Sequence, residues 1–140
     1  TRKNKATKVF QALRIIVNNE ISELILGLSK SCNLISDNGV IATVTFHSIE
    51  DRICKFFFNE ISNIKKVSRY LPINSIEDTS FNLIKKKPII PTAREIKINL
   101  PSRSAKLRAV KRKGKKKVDT QFIFDKFKYL LEIENLASKL

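Results

Sequence analysis

The sequence predicts an α/β fold, and three observations carry that prediction. A turn signal at Asp37-Asn38-Gly39 opens into an uninterrupted β-branched and apolar run, Val40 to Phe46, which reads as a buried strand. The run stops at His47, Ser48, Glu50 and Asp51, and Ser48 followed three residues later by Asp51, ahead of Ile53, Phe56 and Phe57, reads as a capping-box-like helix start. Apolar residues at three- and four-residue intervals both precede and follow this unit, so helices flank it. In open α/β sheets, junctions at the carboxyl ends of strands border the crevice where ligands bind. His47 and Asp51 are therefore the first candidates for chemistry.

Taken in order, Thr7 caps a predicted helix whose apolar positions are Phe10, Leu13, Val17, Ile21, Leu24 and Leu28, widened by Val9, Ile16 and Ile25. That stripe is expected to cover one face of a sheet. The helix after the central strand fades near Asn59 to Asn63, and Ile64 to Ser80 is polar and irregular, a surface connection. Phe81 to Ile90 has strand character, but Lys85-Lys86-Lys87 and Pro88 place it near an edge, where charge and unpaired groups are tolerated. Pro91-Thr92 starts a short turn or helical piece through Ala93, Arg94 and Glu95. From Arg103 to Val110 basic residues alternate with small or apolar ones, which suits a strand with a basic face. Asp119 then caps a last helix carrying Phe122, Phe127, Leu130, Leu131 and Leu136, able to dock on the domain or on another subunit.

At 140 residues and 42% hydrophobic the chain suits one domain or part of one. Its 28 Lys+Arg against 13 Asp+Glu give +15 at pH 7, which favours a polyanionic partner, nucleic acid above all. Nine of these basic residues lie between Arg103 and Lys117 with no carboxylate among them. The Lys111 to Lys117 part reads equally as a solvated flexible run. Cys32 and Cys54 lack metal-ligand spacing and are expected to be reduced thiols in a cytoplasmic protein. No metal site is implied, and no apolar run is long enough to span a bilayer. The three glycines, Gly27, Gly39 and Gly114, form neither a dinucleotide loop nor a P-loop.

Three segments together resemble the MraW/RsmH family, S-adenosylmethionine-dependent methyltransferases acting on the N4 amine of a cytidine in small-subunit (16S) ribosomal RNA. They are Ala6-Thr7-Lys8-Val9-Phe10-Gln11-Ala12-Leu13-Arg14-Ile15 with Asn18, then Phe46-His47-Ser48-Ile49-Glu50-Asp51-Arg52, then Lys87-Pro88 leading to Ser102-Arg103-Ser104-Ala105-Lys106-Leu107-Arg108. The resemblance runs from about Ala6 to Lys111. It departs at Asn4-Lys5, where the family usually has His-Pro, and at Asn38-Gly39, where it usually has Gly-Gly. It implies the C-terminal half of a Rossmann-like methyltransferase sheet: helix, strand, helix, then an antiparallel strand pair near Phe81 and Lys106, to which the residue pattern adds a C-terminal helix outside the resemblance. Residues 1–113 are then the methyltransferase portion and residues 114–140 a basic linker and helical tail. The family's Gly-rich cofactor loop and acidic strand end have no counterpart in this sequence, so the S-adenosylmethionine site is expected mainly in an N-terminal half. A complementary N-terminal half or a second copy of the chain is a candidate partner.

An exocyclic cytosine amine is a poor nucleophile that must lose a proton on methylation, so a hydrogen-bond acceptor beside it would help. His47, Asp51 or Glu50 are the candidates. Arg52, Arg103, Ser104, Lys106 and Arg108 are candidates for RNA phosphates. The alternatives stand beside them: Ser48 and Asp51 merely capping the helix, Arg52 paired with a carboxylate, and the whole chain a non-catalytic basic RNA-binding or ribosome-associated module.

Overall fold

The computed structural model describes residues 5–62 and 79–137, so the predicted connection from Ile64 lies almost wholly outside the described residues. The elements run α1 (Lys5–Val17), α2 (Glu20–Leu34), β1 (Val40–Thr45), α3 (Ser48–Ile61), β2 (Phe81–Leu83), α4 (Ala93–Ile98), a 3-10 turn (Leu100–Ser104), β3 (Lys106–Arg112) and α5 (Gln121–Ala137). They fall into two compact units, one built from the residues up to Ser29 together with those from Asp119 onward, the other from Lys30 to Val118.

The second unit holds a three-stranded sheet in the order β1-β3-β2, with both pairings antiparallel. Its register sets Ile41 opposite Val110, Thr43 opposite Arg108 and Thr45 opposite Lys106. Because side chains alternate across a strand, these pairs share one face, and α3 packs on this sheet. Ile41, Val110, Phe81, Ile53, Cys54, Phe57 and Phe58 make the core there, all but Ile41 fully buried. Each large apolar side chain buried this way stabilises the fold by about 1.5–3 kcal/mol. The opposite face carries Val40 and Val44, 49% and 56% exposed, so β1 is buried on one side only rather than on both as its sequence predicts. The short β2 takes the sheet edge that its lysines and Pro88 indicated, with Ile89 adding an isolated bridge to Leu107. Thr92 caps α4 by accepting from the Glu95 N–H at 3.2 Å.

In the first unit, the helix predicted as one is two. The chain breaks at Asn18-Asn19, where Asn19 takes a left-handed φ of 51°, a conformation asparagine tolerates better than most residues. Arg14 bonds Glu20 across the break at 2.8 Å, and Asn18 reaches the same carboxylate. Thr7 therefore lies inside α1 rather than capping it. Ile15, Ile21, Ile25 and Leu28 are buried, whereas Val9, Phe10, Leu13 and Val17 are more than half exposed, so only part of the predicted stripe is core. Asp119 accepts from the Gln121 N–H at 2.9 Å and caps α5 as predicted. That helix buries Ile123, Phe127 and Glu134, with a kink at Phe127. Glu134, 1% exposed, accepts from the backbone N–H groups of Ile21 and Ser22 at 2.9 and 2.8 Å, satisfying donors that the N-terminus of α2 would otherwise leave open. Ser29 and Thr120 add a hydroxyl–hydroxyl bond.

Candidate functional site

The candidate site is the junction between β1 and α3. The turn before β1 is tight: Asn38 has a φ of 63°, and a Cβ on Gly39 would stand 2.9 Å from the Ser36 carbonyl oxygen, so only glycine fits there. At the other end of the strand, His47 rather than Ser48 is the N-cap. Its backbone is extended, its Nδ1 accepts from the Glu50 N–H at 3.3 Å, and the Glu50 carboxylate returns to the N–H groups of Phe46 and His47 at 2.9 and 3.2 Å. This is a capping box built with histidine. Since Nδ1 accepts, the neutral ring carries its proton on Nε2, which lies 3.2 Å from Glu50 Oε1.

Shifting the cap by one residue frees Asp51 for another task. Its Oδ1 accepts from Arg108 Nε at 2.8 Å and its Oδ2 from Lys106 Nζ at 2.9 Å. The cluster is built by the sheet register, which sets Lys106 and Arg108 on the face of β3 that α3 covers. Burial by itself would raise the Asp51 carboxyl, but the hydrogen bonds and charges of Arg108 and Lys106 outweigh it and hold the group below the usual carboxylate range. Arg108 is nearly buried at 9% side-chain exposure, whereas Lys106 keeps 41%.

The structure thus brings Asp51, Lys106 and Arg108 together, and sets His47 and Glu50 one turn away in the cap. It does not bring in the rest. Arg103 and Ser104 lie in the 3-10 turn, outside the strand, and are exposed, as is Arg52 on α3. Burial raises the thiols of Cys32 and Cys54 to about 12 and about 11, which keeps both inert, and both are free. The engagement of Asp51 by two cations escaped the sequence reading. The one signal for it was the i, i+2 spacing of Lys106 and Arg108 in a strand.

The glycine-rich turn and free acidic strand end that an adenosyl cofactor needs do not appear among the described residues. Gly27 sits inside α2, Gly39 is filled against Ile35 and Ser36, and both acids at the end of β1 are already bonded. These residues do not fit a cofactor site. No described helix is long and apolar enough to cross a membrane.

A strand whose polar end runs into a helix, bordered by an antiparallel pair, is a mixed α/β arrangement consistent with part of a Rossmann-like methyltransferase sheet. The chain belongs to the MraW methylase family, which matches residues 1–113. It is 43% identical over 111 residues to the "Ribosomal RNA small subunit methyltransferase H" of Persephonella marina, covering 79% of this chain and 33% of the relative. The protein of that name from Borreliella afzelii is 49% identical over 109 residues, covering 78% and 32%. That from Lactiplantibacillus plantarum is 41% identical over 108 residues, covering 76% and 34%. The chain spans about a third of the length of the curated relatives it matches.

Proposed function

We propose that this chain is the C-terminal part of an S-adenosylmethionine-dependent methyltransferase acting on the N4 amine of a cytidine in small-subunit ribosomal RNA. The observation that carries the reading is the family match over residues 1–113, which includes the whole β1–α3 junction. In this reading residues 1–113 belong to the methyltransferase domain and residues 114–140 form a basic linker and helical tail. The cofactor is held mainly by an N-terminal part of about twice this chain's contribution, judged from the length of the relatives.

The junction residues then divide the acceptor-side work. Asp51 stays ionised because Arg108 and Lys106 stabilise its charge, and it holds a carboxylate oxygen at the β1–α3 junction without itself needing to take a proton. The His47–Glu50 cap fixes the direction in which the strand end presents these groups. Arg52, Arg103 and Ser104, all exposed, supply phosphate contacts, as does the exposed part of Lys106.

A second reading is favoured by one observation: Asp51, His47 and Glu50 are each already bonded within the chain. It makes the chain a non-catalytic, basic RNA-binding module. Transfer of a labelled methyl group to small-subunit ribosomal RNA decides between them, assayed with this chain alone and with the N-terminal part of the Borreliella afzelii relative. Methylation only in the mixture, falling with Asp51→Asn by more than RNA binding falls, supports the enzyme reading. RNA binding without methylation in the mixture contradicts it.

A further inference from the structure

The run Lys113-Gly114-Lys115-Lys116-Lys117 is a fixed loop, and the residue that fixes it is Arg112. Although cationic, Arg112 is only 5% exposed, and no carboxylate among the described residues pairs with it. Its Nε donates to the Gly114 carbonyl at 2.8 Å, one terminal nitrogen to the Lys116 carbonyl at 2.9 Å, and the other to the Cys32 carbonyl in the last turn of α2. Its guanidinium carbon lies 5.5 Å from the centre of the Phe81 ring. Carbonyls at a helix C-terminus and an aromatic face both stabilise a cation, which offsets part of the cost of burying it.

The loop is also held from its other side. Asp37 Oδ1 accepts the Gly114 N–H at 2.6 Å, and Gly114 takes a φ of +82° that a side chain would strain. The Lys113 N–H donates to Ser80 at 2.8 Å. With the carbonyls of Gly114 and Lys116 turned inward onto Arg112, the side chains of Lys113, Lys115, Lys116 and Lys117 are all exposed. Lys115, Lys116 and Lys117 form no ion pair among the described residues. An array of like charges repels itself, so holding it in one shape is unfavourable unless a polyanion meets it; the ordering already accomplished lowers the cost of binding one.

We propose that Lys113, Lys115, Lys116 and Lys117, presented by Arg112 and Asp37, form a phosphate-binding element for an RNA backbone. The element lies at and beyond the end of the family match at residue 113, so it is an addition to the matched region. The choice of RNA rests on the proposed function. It is favoured over an anionic lipid surface because Lys111 to Lys117 contains no apolar side chain to insert and no described helix crosses a membrane.

The test is fluorescence anisotropy of the full chain with a labelled hairpin from small-subunit ribosomal RNA across a salt series. Lys115→Gln/Lys116→Gln/Lys117→Gln should weaken binding and lower the salt slope by about 2–3, at about 0.7–0.9 per lost phosphate contact, with an unchanged melting curve. The control, Lys85→Gln/Lys86→Gln/Lys87→Gln, removes the same charge from the turn after β2 and should leave most of the slope. Single substitutions, each lowering the slope by about one, serve if the triple variant misfolds. Equal losses in the two triple variants would reduce the effect to net charge and overturn the site. So would an unchanged slope, no binding of the RNA by the parent chain, or loop-dependent capture of phosphatidylserine vesicles without RNA. Because the readout is binding and not methyl transfer, a chain that binds through this loop but never methylates refutes the enzyme reading alone.

Discussion

Replacing Asp51 by Asn removes the anion that Arg108 and Lys106 share while keeping the side chain's size. Arg108 is 9% exposed and Asp51 13%, so the loss leaves a guanidinium largely buried beside a neutral amide. Breaking one side of a buried pair costs about 3–5 kcal/mol. Lys106, 41% exposed, keeps most of its hydration and adds at most about 1 kcal/mol. The amide oxygen still accepts one bond, which brings the expected loss for Asp51→Asn to about 2–3 kcal/mol. The pH dependence follows from the lowered carboxyl. Its contribution is fully present above the unfolded value of about 3.9 and is lost as pH falls through the lower folded value, so parent and variant should converge only in strong acid. Urea denaturation at neutral pH and at a series of acidic values measures both, and a cycle with Arg108→Gln isolates the pair, with a coupling of about 1–3 kcal/mol. A variant as stable as its parent at neutral pH, or a stability difference that does not shrink in acid, would refute this account of the junction.

Two further expectations concern the start of α2 and the two buried thiols. Glu134→Gln should lower stability by about 1–3 kcal/mol and speed hydrogen exchange at the Ile21 and Ser22 amides, because a buried charged acceptor at the helix N-terminus is lost. Unchanged exchange at those amides would show that α5 does not hold the helix start. With thiols raised to about 12 and about 11, Cys32 and Cys54 should alkylate with iodoacetamide far more slowly in the native chain than in denaturant at pH 8; equal rates would contradict their burial.

The parts of the fold that local chemistry decides were legible in the residues. Asp37-Asn38-Gly39 marked the turn, the β-branched run marked β1, Pro91-Thr92 marked a helical start, Asp119 marked a cap, and Lys85 to Pro88 marked an edge. The division of the first helix was not legible, because Val17 and Ile21 keep a four-residue spacing across the break and periodicity alone runs through it. Asn18-Asn19 followed by the acids Glu20 and Glu23, placed where a helix N-terminus favours them, was the available signal. The cap moved from Ser48 to His47 because an imidazole nitrogen can take the acceptor role usually given to an oxygen, a choice that composition does not reveal. Glu134 on Ile21, Arg112 on Cys32 and Arg108 on Asp51 join residues 113, 80 and 57 apart in sequence, and no local pattern encodes such meetings.

On the proposed function, this chain carries the acceptor side of a methyltransferase and the cofactor side lies in the N-terminal part. Calorimetric titration with S-adenosylmethionine tests it most directly, first with the chain alone and then with the chain and the N-terminal part of a relative. No tight binding to the chain alone, and binding in the mixture, is the expected result. Micromolar affinity for the chain alone would contradict it.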